Sequence, residues 1–135
     1  MKRGEVYDAR LEPIESSEQG DTRPLIIVSR DVINMNSSVV LAVPCTTHKP
    51  NKRIYPTQVL IKAPDGGFDR DLIAMADQVR VLSKTRLLNL RGKISDSLIA
   101  QLDRALAIAL DLPGQYLKII AKNFTLFPQS LLPLH

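Results

Sequence analysis

The chain has 135 residues, 44% hydrophobic and 24% charged, which predicts one globular domain with a buried core and excludes disorder over the whole length. Eighteen Lys plus Arg against fourteen Asp plus Glu leave a formal net charge of +4, a balance that suits a polyanionic partner without requiring one. A single cysteine and two histidines exclude a disulfide framework and leave no zinc cluster, so a reducing, cytoplasmic setting with no metal is expected.

After Met1-Lys2-Arg3-Gly4-Glu5 no apolar stretch follows, so no signal peptide is expected, and no run approaches the ~20 apolar residues of a spanning helix, so no membrane role is expected either. In chain order, Val6, Ala9 and Leu11 mark a first strand ending at Pro13. Leu25-Ile26-Ile27-Val28 follows Pro24 as a continuous apolar run that suits a central strand, and Ser38 to Val43 is a second such run. Gln58 to Lys62 is stopped by the turn Pro64-Asp65-Gly66-Gly67, after which Leu72 to Ala76 and Val79 to Leu82 read as two more strands. Short strands at this spacing, with no helix predicted between them, indicate a mainly β fold: a small antiparallel barrel, closed or half-closed, of about five to seven strands.

One helix is predicted, from Ser95 to about Leu112. Ser95 is a good N-cap, Asp96 suits the positive end of the helix dipole, and Ile94 with Ile99 can form a hydrophobic staple. Leu98, Leu102, Ala105, Leu106 and Ala109 recur at helical spacing and give one apolar face to lay on the barrel, until Pro113-Gly114 ends the helix. Residues 1–114 therefore read as one domain, and 115–135 as an extension of unknown role, too apolar for a free tail and too interrupted by proline for one long helix.

Chemistry has few places to live. The stretch from Ile14 to Pro24 concentrates Ser17, Glu18, Gln19, Asp21, Thr22 and Arg23; taken alone it reads as a hairpin loop whose Ser and Asp side chains satisfy its own backbone. It becomes a site only if a second polar cluster converges on it, and Pro44-Cys45-Thr46-Thr47-His48 is the candidate. Within that cluster Cys45 reads as a small buried hydrophobe and His48 as an exposed loop residue. A two-histidine acid/base nuclease is thereby set aside, and any reaction must run on Arg, Thr, Ser and Glu. Between Gln78 and Lys93 stand five cations and no carboxylate, a pattern that suits either a solvated face or a track for phosphates. Base stacking could fall only to Tyr7, Tyr55, Phe68 or the late Tyr116, Phe124 and Phe127, so an aromatic platform is not supported.

Several of these pieces together carry a resemblance. Lys2-Arg3-Gly4-Glu5-Val6-Tyr7, Leu11-Glu12-Pro13, SEQGDTRP at 17–24, VPCTT at 43–47, YPTQV at 55–59 and ADQVR at 76–80 occur in the order and spacing seen in the MazF/PemK-like toxin endoribonucleases. The resemblance covers roughly residues 2–112. It implies a small SH3-like barrel with a C-terminal helix, a homodimer, and cofactor-free, metal-independent, sequence-selective cleavage of single-stranded RNA to a 2',3'-cyclic phosphate and a 5'-hydroxyl. It also implies a cognate antitoxin whose flexible segment occupies the RNA groove.

Carried over by position, Arg23 and Thr46 match the catalytic arginine and threonine, and Glu18 and Gln19 match flanking loop positions. Gln78 and Arg80 fall where such toxins contact RNA, and Ser17 and Thr47 join them as candidate RNA contacts. Arg23 can hold two phosphate oxygens with its planar fork, and Thr46 can donate a hydrogen bond that strengthens in the transition state. Proton transfer stays open between Arg23, whose guanidinium deprotonates poorly, and Glu18. The chain departs from the family pattern at Asp21, at Asp8 and Arg10 after Tyr7, and in the residues after Gly114. The alternative reading is a non-catalytic binding module on the same barrel, either an RNA binder or a protein-directed toxin similar to the gyrase-poisoning relatives of this fold.

Overall fold

The computed structural model describes residues 1–11 and 22–113, so the expectations for Ser17, Glu18, Gln19, Asp21 and the extension after Gly114 lie outside the described residues. The elements are β1 Glu5–Arg10, β2 Thr22–Ile27, α1 Asp31–Asn36, β3 Val39–Thr47, β4 Gln58–Ile61, β5 Leu72–Met75, β6 Arg80–Ser83, β7 Leu87–Lys93 and α2 Asp96–Ala109. The strands pair antiparallel in the order β4-β5-β3-β2-β1-β7, with β6 also on β3. This is the mainly β fold with a C-terminal helix that the sequence predicts, and of the two expected forms it is the half-closed one, because the ladder does not return on itself.

Strand β3 gives the sheet its curl. Its early residues Val39 to Ala42 pair with β6, Ala42 to Pro44 pair with β2, and Cys45 to Thr47 pair with β5. A strand that serves three partners along nine residues must turn from one sheet into the next. Two apolar clusters result. Val6, Ile26, Val43, Cys45 and Ile61 face α2, while Ala9, Leu25, Ile27, Val40, Ala42 and Leu82 pack on the opposite side of the central strands. The run Leu25-Ile26-Ile27 is wholly buried because its side chains alternate between the two clusters, as a central strand requires.

Helix α2 forms where its cap says it should: the Ser95 hydroxyl accepts from the Leu98 amide at 3.3 Å, and Ile94, Leu98, Leu102 and Ala105 are buried against the sheet. Its end comes at Ala109, before the predicted Leu112. Asp111 takes φ 54°, and the amides of Asp111 and Leu112 donate back to the carbonyls of Ile108 and Ala107. That is a Schellman ending with Asp in the left-handed position, so the helix is already closed when Pro113 is reached.

Two elements differ from expectation. The six-residue α1 interrupts the run of strands and is held by distant groups: the Arg3 amide donates to Asp31 at 2.7 Å, the Ser29 hydroxyl and Asn34 amide bond to each other in the interior, and Lys84 Nζ donates to the Asn34 carbonyl. The Arg3 amide also holds the Asp31 carboxyl below its usual range. The sequence shows β7 only as part of a cationic run; it is an edge strand on β1 whose Leu88 and Leu90 are exposed, so it lacks the buried alternation that marks a strand. The Asp65–Gly67 turn abuts β7 backbone to backbone, with Gly67 at φ 79°: a Cβ there would sit 2.3 Å from the Arg91 carbonyl oxygen.

Candidate active site

Strand β1 reaches Arg10, and this decides where Arg23 stands. Ala9 pairs with Arg23 and Arg10 with Thr22, so β2 begins at Thr22, and Arg23 is a strand residue rather than a loop residue as the sequence suggested. On the other side, β2 meets β3 with Leu25 across from Pro44 and Ile26 across from Val43. Just beyond the end of that ladder, Arg23 on β2 and Thr46 on β3 line common cavities. Both side chains are half-buried.

Three cavities meet at this point. One of about 340 Å³ is lined by Arg23, Thr46 and Thr47 together with Arg70 and Arg91. A second, of about 630 Å³, is lined by Arg23 and Thr46 with Gln78 and Arg80. A third, of about 290 Å³, carries Thr46, Thr47, His48, Lys49, Lys52 and Arg53. Thr46 borders all three. Among the described residues, seven Lys and Arg side chains line these cavities against a single carboxylate, Asp69. A basin in which positive charge predominates attracts a polyanion.

The structure thus brings together Arg23, Thr46, Thr47, Gln78 and Arg80 among the sequence candidates, while Ser17, Glu18 and Gln19 lie outside the described residues. The run of five cations is not one track. Arg80 and Arg91 line cavities, but Lys84 is spent on the Asn34 carbonyl and Arg86 donates to the Arg10 carbonyl at 3.3 Å. Arg70 and Asp69 carry no signal of a site in the sequence, whereas Arg91 belongs to the cationic run that the sequence offers as a phosphate track. The Gly66-Gly67 pair is the signal for the turn that presses against β7.

The remaining candidates are constrained by burial. Cys45 is fully buried and its thiol is pushed up to about 12, so it is a small core hydrophobe and no nucleophile. His48 is half-buried rather than exposed, its amide donating to the Asp71 carbonyl at 3.0 Å. Tyr7 packs on the second apolar cluster, and its phenol is raised by that burial and by Glu5; Phe68 is buried. Tyr55, 52% exposed under the Arg53 guanidinium at 5.2 Å, is the aromatic among the described residues that is free to stack. Among those residues no group of three or more His, Cys, Asp or Glu gathers to hold a metal.

Comparison with known proteins adds an independent line. Residues 2–110 match the PemK-like, MazF-like toxin of type II toxin-antitoxin systems. The endoribonuclease MazF9 of Mycobacterium tuberculosis is 38% identical over 117 residues, spanning 83% of this chain and 98% of the relative. The endoribonuclease EndoA of Bacillus subtilis is 37% identical over 112 residues, spanning 83% and 96%. Among solved structures, a mycobacterial endoribonuclease in complex with its cognate antitoxin superposes with a TM-score of 0.70 at 29% identity, covering 84% of this chain and 97% of that one.

Proposed function

Because the chain belongs to the family of PemK-like, MazF-like toxins of type II toxin-antitoxin systems, we propose that it is an endoribonuclease that cuts single-stranded RNA at the Arg23–Thr46 pair. What supports this reading is that a guanidinium and a hydroxyl, Arg23 on β2 and Thr46 on β3, line the same two cationic cavities. Neither group is a strong nucleophile. The pair suits a reaction whose nucleophile comes with the substrate: a ribose 2'-hydroxyl attacks its own phosphodiester, the bond to the 5'-oxygen breaks, and a 2',3'-cyclic phosphate and a 5'-hydroxyl result. One proton leaves the 2'-oxygen and one arrives at the 5'-oxygen, with Arg23 and Glu18 as the competing candidates for the base. Arg23 forks onto the two non-bridging oxygens as charge builds in the phosphorane, and the Thr46 hydroxyl adds a hydrogen bond to one of them.

In this reading residues 1–114 are the working domain, Thr47, Gln78 and Arg80 guide the flanking strand, and Ser17 and Gln19 join them from the preceding loop. A cognate antitoxin is the expected protein partner, as the mycobacterial structural neighbour in complex with its own antitoxin supports, and a flexible segment of it would occupy the basin. The place of action is the cytoplasm, where such RNA is met; among the described residues no helix is long and apolar enough to cross a membrane. The test is cleavage of single-stranded RNA in excess EDTA. The expected products carry a cyclic phosphate and a 5'-hydroxyl by mass spectrometry, and a 3'-hydroxyl with a 5'-phosphate would overturn the mechanism.

An uncovered apolar face supports a homodimer. Leu41 and Val81 pair across β3 and β6, 43% and 57% exposed, with Val39 beside them; α1, which packs on β3, adds Val32 and Met35. A patch of this kind on so small a domain suits a second copy meeting it about a two-fold axis. Leu41→Lys is expected to halve the mass seen by light scattering at micromolar concentration, because it places a charge where the patch must desolvate. An unchanged mass would move the interface elsewhere.

A further inference from the structure

The cavity that Arg23 and Thr46 share with Arg91 contains a device that the reaction described above leaves unused. Arg91 arrives from β7, and its guanidinium is held on several sides. Nη1 lies 3.3 Å from Asp8 Oδ1, Nη2 donates to the Gly67 carbonyl at 3.5 Å, and the group lies over the Phe68 ring at 5.5 Å. Asp8 is in turn fixed by the Asn89 amide, which donates to its other oxygen at 3.0 Å. The Arg91 side chain keeps 28% of its surface open. An arginine tied only into an ion pair would not need a ring beneath it, a carbonyl beside it and an opening onto a cationic cavity. Arg70, by contrast, is 64% exposed and meets only its neighbour Asp69 at 3.5 Å. Asp8 is also one of the positions where the sequence departs from the family pattern, so this anchor belongs to the present chain.

We propose that Arg91, held in place by Asp8, Gly67 and Phe68, is a second phosphate subsite that takes the RNA phosphate next to the one being cut. The proposal rests on the endoribonuclease reading and adds to it a positioning residue. A guanidinium has more N–H donors than Asp8 and Gly67 use, and those left over are fixed in a planar fork suited to phosphate oxygens. The loss of rotamer freedom has already been met on folding, so binding the strand does not incur it again. Asp8, itself held by Asn89, orients the group.

The experiment measures binding and cleavage separately. Anisotropy of a labelled, fully 2'-O-methylated single-stranded RNA across a salt series gives Kd and its salt slope, and unmodified RNA gives kcat and KM. Arg91→Gln is expected to raise Kd and KM about tenfold with kcat falling far less, and to reduce the slope of log Kd against log salt by about 0.7, one phosphate contact to a single strand. The penalty should shrink on a dinucleotide, which has no second phosphate. Asp8→Asn should raise KM by loosening the fork while the salt slope stays, and Arg91→Lys should recover the slope but not the full affinity. An unchanged slope and KM in Arg91→Gln, in a wild-type protein that binds the RNA, overturns the subsite alone. A wild-type protein that binds no RNA overturns the endoribonuclease reading and the subsite with it.

Discussion

Arg23→Ala is expected to lower kcat by about 10²–10³-fold, the scale of about 2.7–4 kcal/mol seen when one preorganised donor to a transition-state anion is removed. The size follows from position. Arg23 is paired to Ala9 of β1, half-buried, on the rim of two cavities lined by cations, so its guanidinium is held close to the developing charge. The backbone pairs of β2 do not depend on that side chain, and the buried neighbours Leu25, Ile26 and Ile27 remain, so the variant should stay folded by circular dichroism. Arg23→Lys keeps the charge and loses the fork, and should fall between the two. Thr46→Val preserves shape and removes the hydroxyl. If the two groups hold one phosphate, the double variant should lose less than the product of the single losses. A single-variant rate within about threefold of wild type would remove Arg23 from the reaction.

Gly67→Ala is expected to destabilise the fold by about 3 kcal/mol and to lower Tm by roughly 10 °C. Two effects add. At φ 79° any L side chain is strained, and the new Cβ would meet the Arg91 carbonyl oxygen at 2.3 Å, a backbone atom that moves only if the turn or β7 moves with it. Gly66→Ala is the informative partner, since at φ 71° it carries similar strain, but its nearest neighbours are the Phe68 ring edge at 3.0 Å and an Ile94 methyl at 3.1 Å, side-chain rather than backbone atoms. Gly67→Ala should therefore be the more damaging in a thermal melt. It should also weaken RNA binding, because displacing β7 displaces Arg91. Equal melting temperatures for Gly67→Ala and wild type would mean that the turn does not press on β7.

The sequence by itself determined the elements whose information is local. The apolar runs at Leu25–Val28 and Gln58–Lys62, the Gly-rich turn, and the capped amphipathic stretch after Ser95 were legible because strand alternation, turn chemistry and helix capping act over a few residues. Arg23 and Thr46 were legible as a pair of residue types that a phosphoryl reaction can use, in a motif order that a family shares.

Tertiary structure alone decided the rest. Helix α1 exists because Arg3 and Lys84, far away in sequence, satisfy its polar groups, and a six-residue helix has no stability of its own. Strand β7 exists because β1 offers it a pairing edge. Arg23 left the predicted loop because β1 ran on to Arg10 and gave it a partner. Arg91 reached the site through Asp8, 83 residues earlier in the chain, and contacts at that separation leave no periodicity in the sequence to be read.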